Sequence, residues 1–233
     1  MRAVTFDIWG TLLDLSKFYL ALSKKLSFLS GRRFEELYDS ILSTYSEALR
    51  VRLGGGFSRI IVDSGEFFSS KLGVSTETLF KAVATVLEDP EISKLAYPDA
   101  AEAVELVKSE GYTTATLGNV MFWPGAVTRY ILHKNGLLKY FDLTVFSDEV
   151  GLQKPSREIF EYVAGKLKLP VEEIVHVGDS LENDLAGALM SGAKAVLVNR
   201  SLSIGIVKLG KSAYLVNSLK HLPEVLRELK KSG

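Results

Sequence analysis

From Pro98 onward, strand-like and helical stretches alternate, and this alternation constrains the fold more than any other feature of the chain. Strands fit 112–117, 143–147, 173–178, 194–198 and 213–216, and helices fit 99–110, 124–134, 156–167, 182–191 and 218–230. A strand, a helix and a second strand in succession fold so that the strands run parallel. Repetition of that unit gives a parallel sheet with helices on both faces. Residues 3–8 add one more apolar strand at the start. The stretch 15–94 has a different texture and reads as all-helical. Phe34, Leu37, Tyr38, Ile41, Leu42, Tyr45 and Leu49 recur at helical spacing and mark one apolar face. Gly54-Gly55-Gly56 breaks that pattern, Gly73 ends a helix over 59–71, and Ser75 is placed to cap the next. The expectation is an α/β core from 1–14 and 95–233, interrupted by a helical domain over 15–94.

The chain has 233 residues, enough for a core domain with an insertion, and 47% hydrophobic against 24% charged residues favours a packed globular interior. Formal net charge is zero, without the basic surplus of a nucleic-acid-binding domain. Cysteine is absent, which excludes disulfides, thiolate metal sites and cysteine nucleophiles. There is no signal-peptide layout and no apolar run near the ~20 residues of a membrane span. A cytoplasmic location is expected, with no nucleic-acid or membrane partner; monomer and homodimer both stay open.

In open parallel sheets, ligands bind beyond the carboxyl ends of the strands. Those ends carry Asp7, Asn119, Asp148 and Gly178-Asp179. Asp7 lies in Phe6-Asp7-Ile8-Trp9-Gly10-Thr11-Leu12, where Gly10 permits a sharp turn. A carboxylate exposed there can attack phosphorus or carbon, dividing one hard displacement into two easier ones. It could equally cap the following helix. Lys154, in Gly151-Leu152-Gln153-Lys154-Pro155, could neutralise a substrate anion, or be an ordinary lysine before a helix that Pro155 begins. Asp179 and Asp184 lie five residues apart in Val177-Gly178-Asp179-Ser180-Leu181-Glu182-Asn183-Asp184 and could direct oxygen ligands at one point, as magnesium requires. Favourable charge at a helix N-terminus explains Asp179 as well, and Asp184 less well. His176, inside an apolar strand, reads as a satisfied core residue.

Order, spacing and strand-end placement of these segments agree. From Val4 to about Arg200 the chain resembles the haloacid-dehalogenase-like hydrolases, matching their first, third and fourth motifs. The run from Gly187-Ala188 through Gly192-Ala193, Val196 and Asn199-Arg200 extends the match. The resemblance implies a Rossmann-like three-layer core with an inserted helical cap. It also implies Asp7 as nucleophile and Lys154 as the phosphate-neutralising base. Magnesium would be held by Asp7, the backbone carbonyl of Trp9 and Asp179, with Asp184 acting through water. Asn119 matches the asparagine of the second motif, where it and the Gly118 backbone would bind phosphate.

Two positions depart from the pattern. Family phosphatases carry a second Asp two residues after the nucleophile, as general acid and base; here that position is Trp9. The second motif normally has Ser or Thr before its Asn; here it has Gly118. An aromatic at position 9 suits a dehalogenase, because halide departure needs no proton donor. Dehalogenation, however, needs no metal, whereas Asp179 and Asp184 are both retained, and clustered carboxylates repel unless a cation lies between them. The balance favours a magnesium-dependent phosphatase acting on a small phosphorylated metabolite. A 2-haloacid dehalogenase and a non-catalytic binding protein are the alternatives.

Overall fold

The computed structural model describes residues Met1–Lys231. In chain order its strands are β1 Ala3–Phe6, β2 Thr113–Gly118, β3 Leu143–Phe146, β4 Ile174–Gly178, β5 Lys194–Val198, β6 Ile206–Lys208 and β7 Ala213–Val216. Its α-helices are α1 Leu15–Ser30, α2 Phe34–Leu53, α3 Ile60–Leu72, α4 Thr76–Val86, α5 Ala100–Ser109, α6 Gly125–Lys134, α7 Ser147–Val150, α8 Arg157–Leu167, α9 Gly187–Met190 and α10 Leu222–Lys231. No described helix is long and apolar enough to cross a membrane.

Two compact units emerge. One comprises Met1–Leu13, Ala96–Asn119 and Gly136–Gly233; the other comprises Asp14–Leu95 and Val120–Asn135. The first contains the sheet, in the order β3-β2-β1-β4-β5-β7-β6. Every adjacent pair is parallel except β6 with β7. The antiparallel edge strand β6 was not anticipated: three residues with no buried position carry too little periodicity to announce a strand. From β1 the chain steps outward to β2 and β3, then returns to place β4 on the other side of β1. The carboxyl ends of β1 and β4 therefore flank the point where strand order reverses, the position at which open α/β sheets bind ligands.

Alternation along the strands sorts the sheet into two faces. Ala3, Leu117, Val145, Ile174, Ala195 and Ala213 pack with Ile159, Phe160 and Val163 of α8 and Ala188 of α9. Val4, Phe6, Val175 and Val177 alternate with that set and are equally buried. Helices α5 and α10 pack together, and α10 buries Leu222, Val225, Leu226 and Leu229.

The helical unit is built by end signals and aromatic packing. Asp14 caps α1, accepting from the Ser16 and Lys17 N–H groups at 3.0 and 3.3 Å. Ser75 caps α4 through the Thr78 N–H at 3.0 Å. The span 120–135, expected with the α/β core, instead packs in this unit. Phe122 lies 4.4 Å from Phe68 between ring centroids, and Trp123 lies 4.9 Å from Phe18. Asn135 donates to the Ile92 carbonyl at 2.7 Å and accepts from the Leu95 N–H at 2.8 Å. Two large aromatics directly after a strand end bury more apolar surface among the helices than a surface loop would, and that outweighs their proximity to β2 in sequence.

Candidate active site

Phe6 ends β1, and Asp7 follows with its N–H still bonded to the Val177 carbonyl of β4 at 2.8 Å. The chain then closes on itself. The N–H groups of Leu12 and Leu13 both reach the Ile8 carbonyl, and Gly10 N–H reaches Leu13 O, each at 2.8 Å. Gly10 adopts φ +90°, and a Cβ there would stand on the Asp179 carboxylate. Glycine is thus required twice over, for the turn and for the close approach of a second acid. Gly178 serves the same purpose from β4, since a Cβ there would occupy the place of the Asp184 carboxylate. Beyond it, Leu181–Ala186 forms a π-helical turn into α9. Asp184 on that turn is turned back toward the sheet, where its Oδ2 accepts from the Ser180 N–H at 2.8 Å.

Lys154 joins these elements. Its Nζ donates to Asp7 Oδ1 at 2.7 Å and to Asp184 Oδ1 at 2.6 Å, and the side chain is only 1% exposed. Asn119 fixes the lysine backbone from the end of β2. Its Nδ2 donates to the Lys154 carbonyl and its Oδ1 accepts from the Lys154 N–H, both at 2.9 Å. Asn119 thus anchors the lysine loop. Gly118, before it, is boxed in: a Cβ would meet Ile8 at 3.1 Å and Phe146 at 3.2 Å, which leaves little room for a hydroxyl-bearing residue. Trp9 sits half-buried in the closed turn, bridged to Leu13.

Asp7, Asp179 and Asp184 each bring a carboxylate oxygen within 4.8 Å of the others, forming a group able to hold a metal ion. Asp148, also expected at this edge, lies in α7 and is not part of the group. The only ammonium in the hydrogen-bonded cluster is Lys154, so three acids face one permanent cation. Burial pushes Asp7 up to about 8; Lys154 pulls against that, and the charges of Asp184 and Asp179 add to it. Asp179 keeps a face to solvent, but desolvation and the Asp184 charge still push it up to about 6, with Thr11 Oγ1 3.5 Å from its Oδ1. Burial would raise Asp184 too, yet Lys154 and His176 outweigh it and hold that carboxyl well below the ordinary range. Lys154, despite burial, is raised by Asp184 and Asp7. Two oxygen-rich carboxylates remain unneutralised, the charge and donor type that suit a hard divalent cation such as magnesium.

Two contributors escaped the sequence reading. His176 is fully buried as expected of a core residue, but its Nε2 bonds Asp184 Oδ1 at 2.9 Å and its Nδ1 meets Thr5 Oγ1 at 2.8 Å. The only available signal was parity: Thr5 stands two residues before Asp7 on the same strand face, and His176 two before Gly178. Arg200 is the second. It donates to the Thr11 carbonyl at 2.8 Å and to Asp99 Oδ2 at 2.9 Å, tying the nucleophile loop to the start of α5.

A sheet with a switch-point cluster of three aspartates and one lysine defines a class of hydrolase, and comparison identifies it. A model of the haloacid dehalogenase-like hydrolases matches residues 1–192, and the chain belongs to that family. It is 27% identical to a glyceraldehyde 3-phosphate phosphatase of Methanothermobacter thermautotrophicus, over 97% of this chain and 100% of that protein. It is 26% identical to (S)-2-haloacid dehalogenase 1 of a Pseudomonas species, over 98% of each. The crystal structure of a HAD phosphatase from Thermococcus onnurineus is similar with a TM-score of 0.66 and 29% identity, covering 97% of this chain and 98% of that one. The chain is therefore a hydrolase of this family, and its relatives are named for phosphatase and dehalogenase activities.

Proposed function

We propose that this enzyme is a magnesium-dependent phosphatase that hydrolyses a small phosphate ester through an aspartyl-phosphate on Asp7. The observation that carries the proposal is the charge excess at the switch point. Three carboxylates lie within 4.8 Å of one another beside a single lysine, an arrangement that a bound cation stabilises and that displacement of a halide does not need. Asp7, the Trp9 carbonyl and Asp179 would hold the ion, with Asp184 behind them. Magnesium would supply positive charge against the phosphoryl oxygens and keep Asp7 ionised.

The chain's own groups account for the rest. Lys154 holds Asp7 Oδ1 and so orients the carboxylate for in-line attack. An Asp7 oxygen bonds to phosphorus as the bond to the ester oxygen breaks, and the departing alkoxide takes a proton from solvent. Water then attacks phosphorus, the Asp7–phosphorus bond breaks, and inorganic phosphate leaves with Asp7 regenerated. Lys154 also offsets part of the phosphate charge, allowing anion to approach anion.

The glyceraldehyde 3-phosphate phosphatase relative supports a small phosphorylated metabolite as substrate. Dehalogenation is the second reading, favoured by the aromatic at position 9 and by the relative of that activity. A panel of sugar phosphates, phosphoglycolate, aryl phosphates and 2-chloroacids, each assayed with magnesium and with EDTA, separates the two. Phosphate release that requires magnesium is expected. Chloride release indifferent to EDTA would replace the proposal with the dehalogenase.

A further inference from the structure

The turn that follows the nucleophile is held from outside as well as from within. Inside it, the Leu12 and Leu13 N–H groups share the Ile8 carbonyl and Gly10 N–H takes that of Leu13, so residues 8–13 form one closed piece. Two more of its carbonyls are taken from outside. Tyr97 N–H reaches the Leu12 carbonyl at 3.0 Å, and Arg200 Nη2 reaches the Thr11 carbonyl at 2.8 Å. Thr11 is fully buried, so no solvent can replace that donor, and a buried carbonyl left unpaired is costly. The guanidinium is itself fixed from two further sides. Nη1 donates to Asp99 Oδ2 at 2.9 Å, and the flat head lies over the Tyr97 ring, 3.9 Å from its centre. Asp99 is anchored in turn, because the same oxygen accepts from Ser218 Oγ and from the Leu219 N–H. A planar cation can stack and donate in two directions at once; an ammonium cannot.

The other side of this turn rests on Asp179. A Cβ on Gly10 would fall 2.1 Å from Asp179 Oδ2, so the carboxylate lies directly against the Gly10 backbone, and Thr11 Oγ1 is 3.5 Å from Oδ1. Arg200 follows β5 and the turn follows β1, and these are the two strands flanking β4, which leads into Asp179. We propose that Arg200 is a positioning residue of the magnesium site: by gripping the Thr11 carbonyl it fixes the tilt of the turn, and the turn confines the Asp179 carboxylate. The inference rests on the magnesium reading of that site. Without the guanidinium, the Thr11 carbonyl has to move to find another donor. The closed turn moves with it, Gly10 draws away from Asp179, and the carboxylate gains freedom. Magnesium demands near-ideal octahedral geometry and tolerates such freedom poorly. Outer groups that orient a metal ligand commonly change affinity by about ten- to a hundredfold.

The test compares the two halves of one ion pair. Arg200→Met keeps the aliphatic stem and loses every guanidinium contact, whereas Asp99→Asn keeps an acceptor and leaves Arg200 on its carbonyl. Calorimetric titration of magnesium chloride into the metal-free proteins at pH 8 should show about tenfold weaker binding for Arg200→Met, and binding within about twofold of wild type for Asp99→Asn. Both variants should melt below wild type, so stability alone does not separate them. Hydrogen exchange of the metal-free proteins reads the turn directly. In Arg200→Met the Gly10, Leu12 and Leu13 amides should exchange faster while those of β4 keep their protection. Wild-type magnesium affinity in a folded Arg200→Met, or exchange that quickens equally across the sheet, would make Arg200 a brace of the fold alone and overturns the proposal. If Arg200→Met does not fold, Arg200→Lys replaces it, since an ammonium can pair with Asp99 but cannot also stack and grip the carbonyl. A smaller loss of magnesium affinity is then expected, and wild-type affinity overturns the proposal. A wild type that binds no magnesium would sink the magnesium reading instead, and the exchange pattern would then decide whether Arg200 holds the turn.

Discussion

Two clusters of opposite charges in the α/β unit invite comparison, because acids and bases are balanced in one and unbalanced in the other. At the end of β5, Asp99 faces Arg200: one carboxylate, one guanidinium, with the Ser218 hydroxyl and the Leu219 N–H donating at 2.7 and 2.9 Å to the same Oδ2 that Arg200 reaches, while Oδ1 is buried without a hydrogen-bond partner. Burial alone would raise Asp99; those three donors outweigh it and hold the group below the ordinary carboxylate value. At the switch point, three carboxylates share one lysine, and two of them are pushed up, to about 8 and about 6. A balanced cluster adds stability, whereas an unbalanced one removes it until a ligand arrives. The difference separates a strut from a site, and it is visible without reference to any relative.

The largest test of this contrast is Asp7→Asn. Loss of the attacking oxygen should reduce turnover by at least ~10⁴-fold, as loss of a nucleophile does elsewhere. The same substitution should raise the melting temperature of the metal-free protein at pH 8. The sign follows from linkage. A group with a raised folded-state pKa contributes stability that is fully present below its unfolded value near 4 and lost as pH rises through about 8. Neutral Asn keeps its contribution throughout. Calorimetry of wild type and variant in EDTA at pH 5 and pH 8 should show the gap opening at the higher pH. An Asp7→Asn protein less stable than wild type at pH 8 would mean Lys154 fully compensates Asp7, and the cluster is balanced after all.

Trp9 sharpens the comparison from the other direction. A positioned general acid contributes about 10²–10⁴-fold, and indole cannot act as one near neutral pH. Rates for the first chemical step should therefore fall steeply as leaving-group pKa rises across an aryl and alkyl phosphate series. Trp9→Asp should flatten that dependence and raise alkyl phosphate hydrolysis by roughly 10²-fold. It also adds a fourth carboxylate, so the metal-free variant should melt below wild type at pH 8. A flat dependence in the wild type would show that another group supplies the proton.

How much of this was legible in the sequence depends on whether a residue's role was local. Asp7, Asn119, Lys154, Asp179 and Asp184 could be found because each stands at or just beyond a strand end or helix start, and strand ends announce themselves through apolar runs and glycines. Their mutual placement was not legible, as Asn119 shows: its side chain clamps the Lys154 backbone across 35 positions, a contact no local pattern announces. The Thr5–His176 pair is separated by 171 positions and depends on the register of β1 against β4, which no local pattern encodes. Residues 120–135 were assigned to the wrong neighbours because helical periodicity reports an apolar face and not what that face packs on. The Asp99–Arg200 strut was hidden for the same reason, since it joins residues 101 positions apart.

Magnesium should stabilise the unbalanced cluster by mass action. At a hundred times its dissociation constant an ion bound only to the folded state adds about 2.7 kcal/mol. The rise in melting temperature on adding magnesium should be large at pH 8, where Asp7 and Asp179 would otherwise repel, and small at pH 5, where protons already occupy them. Asp179→Ala should remove most of the rise. Asp99→Asn should leave it intact, since that strut holds no spare charge. Equal magnesium shifts in wild type and Asp179→Ala would move the ion away from this triad.

The smallest effect belongs to the strut itself. Asp99→Asn keeps an acceptor oxygen but removes the charge, so the bonds from Arg200, Ser218 and Leu219 weaken and none is lost. A charge-assisted bond is roughly twice as strong as a neutral one, so the cost should be about 1–2 kcal/mol with kcat unchanged. Its pH dependence should mirror that of Asp7. Asp99 has a lowered folded-state pKa, so its contribution is present above the unfolded value near 4 and disappears as pH falls through the folded value. Wild type and Asp99→Asn should therefore differ in melting temperature at pH 7 and converge in acid, while Asp7→Asn and wild type converge in acid from the opposite side. Because Arg200 also donates to the Thr11 carbonyl, a loosened strut has one route to the nucleophile loop. If Asp99→Asn lowers kcat as well as stability, that route carries more than support, and the separation between strut and site fails at Thr11.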